Sequence, residues 1–344
     1  MLTPVLKQFG LNPADCTVHP HGSGLINSTW VIDISGSTER FILQRINRSI
    51  FHAPLDIAYN IRLIADHLEK LHPDYLFVSP VKTIQGSEMV ILDDEFYRLF
   101  PFINGSRTIN VVETPGQAYE AARQFGRFTS LLTSLDANSL RITLPDFHDL
   151  SLRYSQFEKA VQTGNPERIS HANAYIRFLQ EQRNIAGEFE FNKGDLKTRV
   201  IHHDTKISNV LFDGNDKGLC VIDLDTVMPG YFISDVGDMM RTYLSPVNEE
   251  AKDFSGIIIR PEMYAAIKEG YLAEMGDSLL DIEKEYFLYS GKYMIYMQAL
   301  RFLTDYLNND IYYGSRYEGH NWVRAGNQVT LLQKLLEFEI SGGY

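Results

Sequence analysis

Cysteine is scarce in this 344-residue chain, which has only Cys16 and Cys220. They lie far apart and neither has a CxxC partner, so no zinc framework is present. Cys220 falls in the apolar run 219–222 and reads as a buried strand residue. So few cysteines fit a reducing compartment. Basic residues are also in short supply, 32 against 44 acidic ones, for a net charge of −12. A duplex-binding protein carries a basic face, so nucleic acid is not expected as a partner. The same balance disfavours an anionic membrane surface. A phosphorylated substrate stays compatible, because a few local arginines suffice. No apolar run approaches 18 residues, and the N-terminus has neither a basic nor an apolar leader. These absences lead us to expect no membrane partner and a cytoplasmic location. There is no repeat and no low-complexity tract.

What is present is a 44% hydrophobic content, enough for a substantial core split between two lobes. Residues 1–10 read as a short helix. Runs 29–34 and 40–44 are β-branched and aromatic, with a Ser35-Gly36-Ser37 turn between them. Helical spacing of Ile57, Ile61, Ile64 and Leu68 predicts a helix over 54–72. Residues 81–84, 89–92 and 96–100 read as three further strands. After a connector at 101–105 the pattern turns helical, near 114–135, 151–162, 165–186, 234–243, 261–274, 282–308 and 325–340. A β-rich island interrupts it at 199–228. The expected architecture is α+β, with a small β-rich lobe over 1–103 and a larger, mainly helical lobe over 104–344. A ligand cleft is expected between them.

The island carries the most informative chemistry. Val200-Ile-His-His-Asp-Thr-Lys-Ile-Ser-Asn-Val-Leu-Phe212 has the form H-x-D-x-x-x-x-N followed by an apolar strand. A turn at 213–215 and a second strand then lead to Ile222-Asp-Leu-Asp225. Protein kinases place a catalytic loop and a metal-binding Asp in this order. Phosphoryl transfer needs a carboxylate to orient and deprotonate the attacking hydroxyl, a role open to Asp204. It also needs a cation that screens charge developing on the phosphates. Mg2+ prefers oxygen ligands, and the Asn209 amide and Asp223 carboxylate supply them. His202 reads as a brace for the loop. His203 stands where protein kinases have Arg. Lys206 either approaches the transferred phosphate or is solvated.

Upstream, His21-Gly-Ser-Gly-Leu-Ile-Asn-Ser28 is a Gly-rich turn that lets backbone N–H groups approach phosphates, here those of ATP. Gly22, Ser23, Gly24 and Asn27 are its candidate contacts. The next strand should carry a lysine for the phosphates, but has Gln44 at that position, with Arg45 beside it. Strand alternation puts the two on opposite faces, so only one can point inward without a bulge. Asn60 is the candidate partner on the following helix, in place of a Glu.

These segments resemble the aminoglycoside phosphotransferase/choline kinase superfamily, and within it the N-acetylhexosamine 1-kinases and their bacterial relatives. The matching stretches are 22–27, 41–47, Arg98-Leu-Phe-Pro-Phe-Ile103, Leu144-Pro-Asp-Phe-His-Asp149, 202–209, Ile222-Asp-Leu-Asp-Thr-Val-Met-Pro-Gly230, 235–241 and 301–307. In the sugar-kinase branch the absent lysine is usual. The resemblance implies a protein-kinase-like fold, with the adenine of ATP near Pro101, Phe102 and Ile103 and the sugar in the helical lobe. The implied product is a hexosamine 1-phosphate, as in salvage of N-acetylglucosamine or N-acetylgalactosamine.

Candidate acceptor contacts follow. Asp225 would share a face with Asp223 on a continuing strand, as a second metal ligand or a sugar contact. Arg301 and Asp305 are one helical turn apart, either as an ion pair or as sugar ligands. His148, His320 and Asn321 lie in aromatic, amide-rich stretches that suit sugars or plain packing. Asp235 reads as a cap for the helix at 234–243 that steadies the catalytic loop. Competing readings keep the kinase but change the acceptor to homoserine, choline, methylthioribose or an aminoglycoside. Others replace the kinase by a nucleotide-binding pseudokinase scaffold or a metal-dependent hydrolase.

Overall fold

In the computed structural model the described residues are 2–21 and 26–343. The expected phosphate contacts Gly22, Ser23 and Gly24 lie outside them. The first hundred residues form α1 (Thr3–Gln8), β1 (Cys16–Pro20), β2 (Ser28–Ile34), β3 (Arg40–Arg45), α2 (Pro54–Leu71), β4 (Val90–Leu92) and β5 (Glu95–Pro101). The strands pair antiparallel in the order β1-β2-β3-β5-β4. Alternation gives the sheet two faces. Ile32, Leu43, Tyr97 and Leu99 pack on one side with Val5 and Leu6 of α1. Their strand neighbours Gln44 and Arg98 point the other way, toward the rest of the molecule, and stand opposite each other in the β3–β5 register. Helix α2 starts with Pro at its first turn, where a missing N–H costs nothing. Its Ile57, Ile61, Ile64 and Leu68 are at most 2% exposed. Each such burial stabilises the fold by about 1.5–3 kcal/mol.

The remainder is mainly helical. It contains α3 (Pro115–Leu131), α4 (Leu150–Thr163), α5 (Pro166–His171), α6 (Asn173–Glu181) and α7 (Asn184–Asn192). Two small ribbons follow: β6 (Arg199–Ile201) pairs with β9 (Met228–Gly230), and β7 (Val210–Phe212) with β8 (Gly218–Val221). Then come α8 (Phe232–Tyr243), α9 (Pro261–Met275), α10 (Asp281–Glu285), α11 (Phe287–Leu307) and α12 (His320–Ile340). Helix α11 is the spine of the core and is buried along nearly all its length. Gly237 of α8 lets the two helices touch, since a Cβ there would lie 2.2 Å from the Ser290 carbonyl oxygen. Among the described residues no helix is long and apolar enough to cross a membrane.

Several local expectations are corrected. Residues 81–84 form no strand; the Val81 N–H bonds to Leu99 O, but no ladder follows. Strand β1 was not foreseen, being short, polar and ended by a proline. The helix expected over 165–186 is broken into α5, α6 and α7, with Asn165 capping α5 through two backbone N–H groups. The long helix of 282–308 is interrupted at Tyr286. Helix α12 begins at His320, so His320 and Asn321 lie on its first turn rather than in a loop.

Candidate active site

The catalytic-loop motif runs from the end of β6 to β7, closing in a 3₁₀ turn at Ile207–Asn209. Its backbone is held from below by α8. Asp235 accepts the His202 and His203 N–H groups at 3.0 and 2.7 Å. Asp238 accepts the Thr205 N–H at 2.9 Å. The Tyr243 hydroxyl donates to Thr205 O at 2.6 Å. Asp235 is thus an interior residue of its helix that braces the loop, and it does not cap that helix. Burial pushes its carboxyl up to about 6, while the neighbouring His202 and the two loop N–H groups oppose the shift. His202 itself reaches across to Ile222 O at 2.9 Å. It thereby ties the loop to the residue between the end of β8 and Asp223.

This bracing leaves Asp204 part-exposed, with Lys206 Nζ 3.2 Å from its carboxylate. Asn209 donates its Nδ2 to Asp204 O at 2.8 Å, so its acceptor oxygen is the atom left for another partner. Ile222 N bonds to Asn209 O and brings the two strands together. Asp223 adopts the left-handed conformation, φ 63°. A 3₁₀ turn over Leu224–Thr226 follows it. The strand does not continue, so Asp223 and Asp225 share no strand face, which corrects the expectation for Asp225. Asp223 keeps solvent-exposed surface, while burial of its carboxyl pushes the pKa up to about 7. Asp225 and Asp204 add to the rise, and Arg98 and Lys206 oppose it. Asp225 is committed to Arg98 and Asn27, so the Asp223 carboxylate and the Asn209 amide oxygen are the oxygen donors open to a hard cation. Among the described residues no group of three or more His, Cys, Asp and Glu is placed to hold a metal ion by itself. The donor set fits Mg2+, which is commonly held by one or two carboxylates and completed by waters and substrate phosphates.

Toward the sheet, Asp225 is nearly inaccessible. It pairs with Arg98 and accepts from Asn27 Nδ2 at 2.7 Å. Gln44 faces inward and Arg45 does not. Gln44 Oε1 accepts from Arg98 Nε and Nη2 at 3.0 and 2.8 Å. Arg45 turns to Ser28 and Glu95. Asn60 does not meet Gln44. It bonds Arg141 and Val227 backbone groups instead, pinning α2 to the helical part. At the connector, Phe102 N–H bonds to Arg40 O and the ring lies under the Arg40 guanidinium. Pro101 ends β5 opposite Phe41, and Ile103 O accepts from Ser106.

On the other side of the loop lies a buried basic and aromatic cluster. His203, at φ 66°, sets its Nδ1 3.3 Å from Nδ1 of His148. Burial lowers both rings' pKa values, that of His203 to about 3. Both are therefore neutral at pH 7, and one Nδ1 donates to the other. His148 stacks on Phe147. The Arg301 guanidinium lies 5.4 Å from the Phe147 ring and 5.5 Å from the Tyr313 ring. Its hydrogen bond goes to Gln298. It forms no ion pair with Asp305, which instead accepts the Tyr312 and Tyr313 N–H groups and Asn321 Nδ2. Asn321 also binds Asp310 and Gly314 O, and His320 meets Glu250 at 2.6 Å. Asp305, His320 and Asn321 thus brace the loop after α11. Sequence reasoning missed Arg98 as a site residue, because cross-strand register leaves no local pattern.

Taken together, a two-lobed fold with a braced Asp-bearing loop and a neighbouring carboxylate turn defines a kinase-like phosphotransferase. A match to the phosphotransferase enzyme family (APH) covers residues 17–278. The chain belongs to that family, and its class is that of a small-molecule kinase. Solved structures share the fold at low identity. A spectinomycin phosphotransferase in complex with ADP and spectinomycin is 14% identical, with TM-score 0.59, covering 99% of this chain and 97% of that one. A microcompartment-associated aminopropanol kinase is 16% identical, with TM-score 0.64 and the same coverages, 99% and 97%. A choline kinase from Cryptosporidium parvum Iowa II is 14% identical, with TM-score 0.57, covering 96% and 92%.

Proposed function

We propose that the protein is an ATP- and Mg2+-dependent kinase that phosphorylates the anomeric hydroxyl of N-acetylhexosamines such as N-acetylglucosamine or N-acetylgalactosamine. Asp204 orients and deprotonates the sugar hydroxyl. Asn209 and Asp223 hold Mg2+, which screens charge on the phosphates when bound. The turn from Gly22 through Asn27 and the connector from Pro101 to Ile103 receive ATP. A cytoplasmic location goes with this reading.

The observation that carries the sugar assignment is Arg301. Its guanidinium is 8% exposed and has no carboxylate at ion-pair distance among the described residues. It lies beside His148, which touches the residue preceding Asp204. Burying a charge without a partner is costly, so such a group favours a ligand oxygen that accepts its hydrogen bonds. Choline, ethanolamine or an aminoglycoside would bring a second positive charge to this place. A sugar hydroxyl or acetamido carbonyl suits Arg301, and the Phe147 and Tyr313 rings suit the apolar face of a hexose.

The test is ADP formation against N-acetylglucosamine, N-acetylgalactosamine, free hexoses, homoserine, choline and kanamycin. Turnover with the N-acetylated sugars, with KM for sugar raised at least about tenfold by Arg301→Ala, is expected. Turnover with choline or kanamycin alone would overturn the sugar assignment and leave the kinase. ATP binding without turnover on any acceptor would favour the scaffold reading.

A further inference from the structure

Positive charge facing the phosphate end of the cleft is expected from β3, and β3 has an amide there instead. The cations on the central strands have separate fates. Arg40 is bonded to Asp33 at 2.7 Å. Arg45 turns to Ser28 and Glu95. Arg98 is 1% exposed, directly across the ladder from Gln44, and faces the carboxylate turn of the helical lobe. A buried guanidinium in such a place needs its orientation fixed. Gln44 Oε1 fixes it from one side at 2.8 and 3.0 Å. The Phe100 ring lies 5.1 Å away. Asp225 takes the remaining end of the fork. Asn27, at the end of the Gly-rich turn, donates to the same carboxylate at 2.7 Å and accepts the Asn47 N–H at 3.0 Å.

We propose that Arg98 does the work of the missing strand lysine: a positioning residue whose fixed positive charge, aimed by Gln44 and anchored on Asp225, sets the phosphate end of the nucleotide site and joins the sheet to the carboxylate turn. The cation has moved one strand over, from β3 to β5, and Gln44 is its orienter rather than its replacement. Asp225 is accordingly a junction between lobes, and Asn27 ties the Gly-rich turn to that junction. A lysine at position 44 would compete with Arg98 for Asp225, which explains in charge terms why an amide stands there.

The proposal rests on the nucleotide-dependent reading above. Two quantities separate the two: MgADP affinity by calorimetry, and the KM values for ATP and for acceptor in steady-state turnover, each for the full-length parent and for variants. Arg98→Met is expected to weaken MgADP binding and raise KM for ATP by at least about thirtyfold, with acceptor KM within about threefold. Because Arg98→Met leaves Asp225 buried and unpaired, the variant that carries the test is Arg98→Met with Gln44→Lys. It returns a cation to the face opposite Asp225 and is expected to recover at least tenfold of the loss in nucleotide affinity. A folded double variant no better than Arg98→Met would overturn the proposal, as would Arg98→Met binding MgADP like the parent. If the parent itself binds no nucleotide, the underlying reading fails and the proposal with it.

Discussion

At the residue scale the cleft is governed by which carboxylates are committed and which are free. Asp235 and Asp238 hold backbone, Asp225 holds Arg98, and among the described residues Lys206 is the cation paired with Asp204. Asp204→Asn keeps the shape and removes the proposed proton acceptor. Turnover should fall at least about 100-fold with ADP affinity unchanged, as checked by steady-state rates and calorimetry. Asp223 provides a pH prediction. Its carboxyl is pushed up to about 7 by the protein around it and by Asp225 and Asp204, and only the ionised form binds a cation. Lowering the pH through this value should weaken Mg2+ binding by up to about tenfold per pH unit, while raising it above 8 should change little. Magnesium titrations at pH 6 and pH 8 give the comparison, and equal affinities would contradict the assignment.

At the element scale, short ribbons and helix contacts aim the site. Gly230 on β9 lies against the His203 ring; an added Cβ would stand 2.5 Å from its Cε1 and 2.6 Å from its Nε2. Gly230→Ala should displace His203, the residue before Asp204. A loss of about 1–3 kcal/mol in stability with a reduced kcat is expected, read from urea unfolding and initial rates. Strand β6 is anchored by Arg199 to Glu283 of α10, a pair 2% and 0% exposed. Removing one partner strands a buried charge, so Glu283→Ala should cost about 3–5 kcal/mol in the same unfolding assay.

The elements also show what the sequence could reveal. The spacing of Ile57, Ile61, Ile64 and Leu68 had one solution, an amphipathic helix, and the ribbon hairpin was bounded by its turn residues. Residues 81–84 carried the same apolar composition as a strand, but their N–H groups bond to three separate places, Leu99 O, Ser87 O and Gln8 O, so no ladder with one neighbouring strand forms. The breaks between α5, α6 and α7 fall at Ala172 and at Gln182–Arg183, where no side chain caps the next helix, and helical periodicity does not register them. In the site, H-x-D-x-x-x-x-N is local and was readable. Arg98 was not, because its tie to Gln44 is a matter of which strand lies next to which. The same applies to Asp305, whose i,i+4 spacing to Arg301 suggested an ion pair that the loop's unpaired N–H groups displaced.

At the scale of the whole molecule, the catalytic loop is wired to the far helix through buried charge. Arg241 pairs with Asp238 and Glu249, and Glu249 continues to Arg324 of α12. Burial pulls the Glu249 carboxyl up, but the two arginines outweigh it and hold it at about 2. Its folded value is therefore below the unfolded value of about 4.3. The stability it contributes is present above that unfolded value and is lost as pH falls from about 4 to about 2. Urea midpoints across this window should drop for the parent and drop less steeply for Glu249→Gln.

The central claim is transfer of a phosphoryl group to the anomeric oxygen of an N-acetylhexosamine. Phosphorus NMR of the product made from ATP, Mg2+ and N-acetylglucosamine or N-acetylgalactosamine tests it most directly. The account predicts a new sugar-phosphate resonance coupled to the anomeric proton, formed with ADP and absent with Asp204→Asn. A phosphate resonance coupled to another sugar position, or ADP formed only with a non-sugar acceptor, would contradict it.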